Sequence, residues 1–93
     1  MRTINTTNRF KKDFKRELKG RYRRTVELEL PQLIHCLAND LPLLDRYRDH
    51  ALTGTWIDHR DIHVKPDLVL IYRMLDDENL DLVRLGSHSE LAL

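Results

Sequence analysis

The chain is poor in the residues on which many small functional folds are built. Its single cysteine, Cys36, can form no internal disulfide, which fits a reducing, cytoplasmic setting. Its three glycines are too sparse for a loop that cradles nucleotide phosphates. No apolar run approaches the roughly 20 residues of a membrane span, and the N-terminus shows no signal-peptide apolar region. Internal repeats, low-complexity tracts and Gly/Ser linkers are also missing. No Ser-His-Asp or Cys-His pairing stands out, and Cys36 falls inside a predicted helix, where packing is its expected role. What remains is a 93-residue chain expected to form one domain over 1–93. With 41% hydrophobic and 33% charged side chains, it suits a soluble fold with a compact core.

A net charge of +1 conceals an uneven layout. Residues 1–24 hold ten basic side chains against Asp13 and Glu17, a local +8, so residues 25–93 sum to −7. Such a basic arm suggests a polyanionic partner, either a phosphate backbone or an acidic protein; a solvated helix face explains it equally well.

The pattern predicts β-α-α-β-β-β, an α+β fold with a helical hairpin packed on an antiparallel sheet. Arg2 to Thr7 reads as a first strand, and Thr7 or Asn8 can cap the helix that follows. Phe10, Phe14 and Leu18 form its apolar stripe, Arg9, Lys12, Arg16 and Lys19 lie off it, and Gly20 ends it. A second helix is expected over Tyr22 to Asn39, either kinked at Pro31 or becoming regular there. Leu41 to Asp49 reads as a loop. From Trp56 the period becomes two, with Trp56, Ile62 and Val64 on one side of a strand and Asp61 and His63 on the other. Lys65-Pro66-Asp67 makes a turn, Leu68–Tyr72 a central strand apolar on both faces, residues 76–79 an acidic turn, and Leu80–Leu85 the last strand. Gly86 then breaks it, and Ser87 opens a terminal turn.

Three of the five histidines stand beside Asp or Arg in this half: Asp49-His50, Asp61-Ile62-His63 and Arg84 through His88, with Asp67 across the turn. Histidine gives and takes protons near neutral pH. Cleaving a phosphodiester with its own 2′-hydroxyl needs a base, an acid for the leaving 5′-oxygen, and a cation for the phosphorane charge; His, Asp and Arg supply all three. Each residue also has a plainer reading. His50 can end a loop, Asp67 can be a turn former after Pro66, and Arg84 can pair with a strand neighbour. His35 and His59 are expected to be structural or exposed. A zinc site from His50, His63 and His88 is conceivable but not favoured, and no metal or other cofactor is expected.

Three stretches then carry a resemblance: Asp49-His50-Ala51-Leu52-Thr53-Gly54-Thr55-Trp56, Arg60-Asp61-Ile62-His63-Val64-Lys65-Pro66-Asp67-Leu68-Val69-Leu70-Ile71-Tyr72, and Leu82-Val83-Arg84-Leu85-Gly86-Ser87-His88-Ser89-Glu90-Leu91. In order and spacing they closely resemble the YafQ branch of the RelE toxin superfamily. The likeness is strong from Asp49 to Leu91 and only general over the helices. It implies a RelE-like fold and a ribosome-dependent mRNA endoribonuclease, the toxin of a type II toxin–antitoxin system, which cleaves the A-site codon without a metal. It further implies His50, His63, Asp67 and His88 as the acid–base set. Asp61 would orient a histidine or contact mRNA, and Arg84 would balance charge on the reacting phosphate.

The resemblance also gives the basic helix a role. Arg9, Lys12, Lys15, Arg16 and Lys19 would grip ribosomal RNA through phosphate contacts. A cognate antitoxin is the expected protein partner, laying an acidic or amphipathic segment over the basic helices and cleft mouth. DNA operators would be met only through the antitoxin complex, and no membrane is involved. Two departures stand out. The family often ends His-x-x-Leu-Phe, where this chain has Ala92 after Leu91, removing an aromatic stacking platform and leaving Leu93 nearby; some relatives carry Trp in place of Leu68. The alternative function is a non-catalytic relative on the same scaffold, as in the ParE branch, that poisons its target by binding. A DNA-binding module using the basic helix fits less well, lacking a clear helix-turn-helix.

Overall fold

A computed structural model describes residues 1–93. Strand β1 (Thr3–Thr6) leads into helix α1 (Asn8–Glu17), and α2 (Leu30–Ala38) follows a π-helical turn over Thr25–Glu29. Four more strands complete the chain: β2 (His50–Ala51), β3 (Arg60–Lys65), β4 (Leu68–Arg73) and β5 (Asn79–Gly86). Single 3-10 turns at Asp45–Tyr47 and Gly54–Trp56 flank β2.

Local chemistry explains both helices. Thr7 caps α1 as expected: its hydroxyl accepts from the Phe10 N–H at 3.0 Å and donates to the Val83 carbonyl at 2.7 Å, tying the helix start to β5. Pro31 lacks an N–H and would crowd the carbonyl four residues back in a regular helix. The chain widens into the π turn just before it, with Leu30 N–H bonding to Thr25, and regular helix begins at Leu30. Of the two outcomes the sequence left open at Pro31, the regular helix starting there is the one adopted.

The five strands are ordered β1-β5-β4-β3-β2. β4 is central, and Leu68 to Tyr72 are all buried, as their unbroken apolar run predicts. β2, β3, β4 and β5 pair antiparallel, but β1 runs parallel to β5, from Thr3 opposite Asn79 to Thr6 opposite Leu82. The sheet is therefore mixed at one edge, because the helical connection returns the chain to the far side of the meander.

One face of the sheet meets the helices. Phe10 of α1, Val26, and Leu30, Leu33 and Leu37 of α2 pack with Ile62, Val64, Leu70, Tyr72, Leu80 and Leu82. Val69, Ile71 and Leu91 form a smaller cluster with Leu52, Trp56 and Val83. Two expectations need correction. Trp56 is not on β3: it ends a 3-10 turn and packs in this second cluster, its indole N–H donating to the Leu91 carbonyl at 2.9 Å. His50 is not at the end of a loop but on β2, a strand too short for period-two alternation to reveal. Leu68, where some relatives carry Trp, is fully buried on the helix side. No helix is long and apolar enough to cross a membrane.

Candidate active site

Register brings the histidines together. His50 on β2 stands opposite Asp61 on β3, which stands opposite Ile71 on β4. One row along, His63 pairs with Val69, and Val69 pairs with Gly86, so the chain leaving β5 reaches the His63 row just before His88. Paired residues in neighbouring strands share a face. The result is a line of imidazoles: the His50 and His63 ring centres lie 5.9 Å apart, and those of His63 and His88 lie 5.1 Å apart, edge to face. Asp67, in the β3–β4 turn at the same end of the sheet, accepts both the His88 backbone N–H (3.2 Å) and its Nδ1–H (3.1 Å). Ser87 holds the start of the turn, its hydroxyl accepting the Glu90 N–H at 3.2 Å.

The imidazoles differ in access and in partners. The His50, His63 and His88 side chains are 52%, 17% and 39% exposed, which makes His63 the most enclosed. His50 Nδ1 lies 2.7 Å from the Arg48 carbonyl. That oxygen can only accept, so Nδ1 carries the proton and neutral His50 keeps its Nε2 lone pair. Asp49, next to it, accepts from the Tyr72 hydroxyl and from Arg60 Nε (3.2 Å), anchoring the entry to β2.

Asp61 is the buried member, at 2% exposure. Its Oδ1 sits 3.0 Å from His50 Nδ1 and 3.9 Å from His63 Nε2. Because the His50 N–H is directed at Arg48, that oxygen accepts no hydrogen bond despite the short distance. Burial pushes the Asp61 carboxyl above its ordinary pKa, and the three imidazoles, when charged, pull the other way. Burial likewise lowers His63. Asp61 opposes this, while His88, His50 and Arg48 add to the lowering. Asp67 is held low by the His88 hydrogen bonds.

Donor atoms of His50, Asp61 and His63 all fall within 4.8 Å of one another. Two bonds to a zinc-like ion span at most about 4.4 Å, so the set would have to contract slightly to hold one. The unpartnered Asp61 oxygen suits that chemistry.

Arg84 does not stand free beside the imidazoles. Its Nε and Nη2 donate to Asp13 at 2.7 and 3.2 Å, and the Leu85 N–H donates to the same carboxylate at 3.0 Å. Burial pushes Asp13 up, but the Arg84 and Leu85 hydrogen bonds and the charges of Arg84 and Arg16 prevail and leave it below the ordinary carboxylate range. Sequence reasoning missed Asp13; an acid falling between Phe10 and Phe14 of the apolar stripe, on a basic helix, was its one visible signal. Arg16 joins this network, its guanidinium contacting Asp13 (3.1 Å), Glu90 (3.0 Å) and the Leu85 carbonyl (2.9 Å). Arg16 makes these ion pairs with a side chain still 43% exposed, whereas Arg9, Lys12, Lys15 and Lys19 are exposed and form no ion pair. His35 is exposed and His59 packs on Trp56 at 5.3 Å, both outside the imidazole row.

Comparison with known proteins shows the family. Residues 2–93 match the family described as the bacterial toxin of type II toxin-antitoxin system, YafQ. The chain is 40% identical over 85 residues to the mRNA interferase toxin YafQ of Escherichia coli strain K12, covering 81% of this chain and 91% of that one. The Escherichia coli DinJ–YafQ toxin–antitoxin complex contains a chain 38% identical, with a TM-score of 0.81 and coverage of 97% and 96%. A metal-bound toxin from Helicobacter pylori is 44% identical, with a TM-score of 0.84 over 98% of this chain and 99% of that one. A family match across almost the whole length, relatives at this identity and the shared α+β architecture lead to one conclusion: the chain belongs to the YafQ family of bacterial type II toxin–antitoxin toxins.

Proposed function

We propose that this toxin is an endoribonuclease, an mRNA interferase that cleaves A-site mRNA on the ribosome by acid–base chemistry and is neutralised by a cognate antitoxin. The observation that carries the reading is the line of three imidazoles drawn from three separate segments, with carboxylates at both ends. Pure binding does not require groups that titrate near neutral pH.

In this reading the 2′-hydroxyl attacks the neighbouring phosphorus, its proton passes to an imidazole, and the 5′-oxygen leaves with a proton from another. His63, lowered and therefore neutral at pH 7, suits the base. Asp61, close beneath His63 and His50, offsets the positive charge that proton abstraction creates. His88 suits the acid: Asp67 accepts from Nδ1 and stabilises the imidazolium, whose Nε2–H then delivers the proton to the leaving 5′-oxygen. His50, its Nδ1 committed to the Arg48 carbonyl, keeps the Nε2 lone pair to share the proton traffic. Arg84 commits Nε and Nη2 to Asp13, leaving Nη1 to meet the phosphate. Arg9, Lys12, Lys15 and Lys19 form the cationic face for ribosomal RNA, where contact with phosphates is independent of sequence.

Cleavage of mRNA on programmed ribosomes tests the proposal. His63→Ala and His88→Ala are each expected to abolish cutting while leaving the thermal midpoint intact. Products should carry 2′,3′-cyclic or 3′-phosphate ends. Full activity in both variants would sink the mechanism, and 3′-hydroxyl ends would point instead to metal-assisted hydrolysis, with His50, Asp61 and His63 the donors.

A further inference from the structure

A cavity of about 620 Å³ opens beside the imidazole row, and acid–base chemistry leaves most of its wall unused. His63 and His88 line it together with Arg46, Arg48 and Lys65 and a single carboxylate, Glu29; Tyr47, Val64 and Pro66 complete the wall. Three cations and one anion leave the wall at +2 when the imidazoles are neutral. The volume suits a ligand of nucleotide size.

Two of the three cations, Arg46 and Lys65, are held rather than loose. Glu29 accepts from the Tyr47 hydroxyl at 2.7 Å and lies 3.2 Å from Lys65 Nζ and 3.9 Å from Arg46 Nη2. The Arg46 guanidinium also stacks 4.9 Å over the Tyr47 ring and donates to its phenolic oxygen at 2.9 Å. Long basic side chains fixed in advance lose less freedom when an anion arrives. Arg48 adopts a left-handed backbone (φ 49°), an arrangement in which its carbonyl holds His50 while its side chain lines the cavity. Tyr47 also lines the cavity, but it is buried and Arg46 stacks over its ring, so charge dominates the wall and a backbone phosphate is the group that it fits.

We infer that this cavity is a second phosphate-binding subsite, in which Arg46, Arg48 and Lys65 take the phosphodiester adjacent to the scissile one on the same RNA strand. The inference rests on the nuclease reading for the position of the scissile phosphate. Glu29 sets the geometry of two of the three cations and at the same time opposes the incoming phosphate. It tunes affinity downward.

The test measures binding of a trinucleotide carrying a 2′-deoxy sugar at the cleavage position, so that affinity is read without cutting. Arg46→Ala combined with Lys65→Met, which keeps much of the lysine stem, should weaken binding about tenfold or more, the worth of a lost charged hydrogen bond. The slope of log affinity against log salt should fall by about 0.7, one phosphate's share on a single strand. Glu29→Gln should move the other way and bind several-fold tighter, a change that damaged packing does not produce. Undetectable binding by the natural protein, unchanged affinity in the double variant, or weakening by Glu29→Gln would each overturn the subsite. A decaglutamate peptide that competed as well as the RNA would mark the wall as an acidic-peptide site and overturn it too. Ribosomal mRNA cleavage run in parallel separates the two readings. The expected binding pattern without cleavage removes the nuclease and leaves an RNA-binding wall; cleavage with unchanged affinity removes the subsite alone.

Discussion

Replacing Asp13 offers the sharpest probe of how the site is supported. This carboxylate lies 3% exposed and accepts from Arg84 at two nitrogens, from the Leu85 N–H and from Arg16. Asp13→Ala leaves the Arg84 charge, on a side chain 10% exposed, without its partner. Removing one member of a buried pair costs about 3–5 kcal/mol, a large share of the roughly 5–15 kcal/mol available to a domain. Unfolding entropy near 2.1 cal/mol/K per residue gives about 0.2 kcal/mol/K for 93 residues, so the thermal midpoint should fall by about 15–25 °C. Asp13→Leu with Arg84→Met removes both charges and should recover most of that loss, because the desolvation cost disappears with them. The acid side supplies a second readout. Asp13 is lowered in the folded protein, so its contribution is complete above the ordinary carboxylate range, near 3.9, and is lost as pH falls through the depressed folded value. Thermal melts at pH 7 and pH 3 should therefore converge for Asp13→Ala relative to the natural protein. A double variant as unstable as the single one, or a midpoint for Asp13→Ala within a few degrees of the natural protein, would refute the reasoning. If the recovered double variant still fails to cleave mRNA, Arg84 acts on the phosphate and not only on the fold.

Other consequences can be checked alongside. Because His63 is lowered, its base form persists below the usual histidine range, and the acid limb of single-turnover cleavage should fall at a pH beneath about 6.5; a flat profile between about 5 and 8 would favour binding without catalysis. Added Zn²⁺ should inhibit by occupying His50, Asp61 and His63, more strongly as pH rises and the imidazoles shed protons, and His50→Ala should blunt the effect in a titration reversed by chelator. Thr7→Ala removes the α1 cap and its bond to Val83, and should cost about 1–2 kcal/mol in denaturant unfolding with no change in product ends. Reversing Lys12, Lys15 and Lys19 to Glu should weaken ribosome association and reduce its salt dependence, read by co-sedimentation; an unchanged slope would remove the basic helix from the interface.

What the chain determined by itself is what short-range pattern encodes. The Phe10–Phe14–Leu18 stripe, the Thr7 cap, the Pro66–Asp67 turn and the doubly buried run from Leu68 to Tyr72 each follow from residues within a few positions of one another. The order of His50, His63, Asp67 and His88 is likewise legible, through its likeness to the YafQ branch. Tertiary structure alone decided which groups meet. β2 has only two residues and exists because Asp61 and Arg60 give it a partner. Trp56 joins the Leu91 cluster because the C-terminal turn folds over it. Arg84 and Arg16 look alike as cations in the sequence, yet both are drawn to Asp13, which lies 71 positions from Arg84 along the chain. Periodicity records which way a side chain faces on its own element. It carries no record of what a distant strand brings opposite, and long-range charge pairing and cavity walls are built from that.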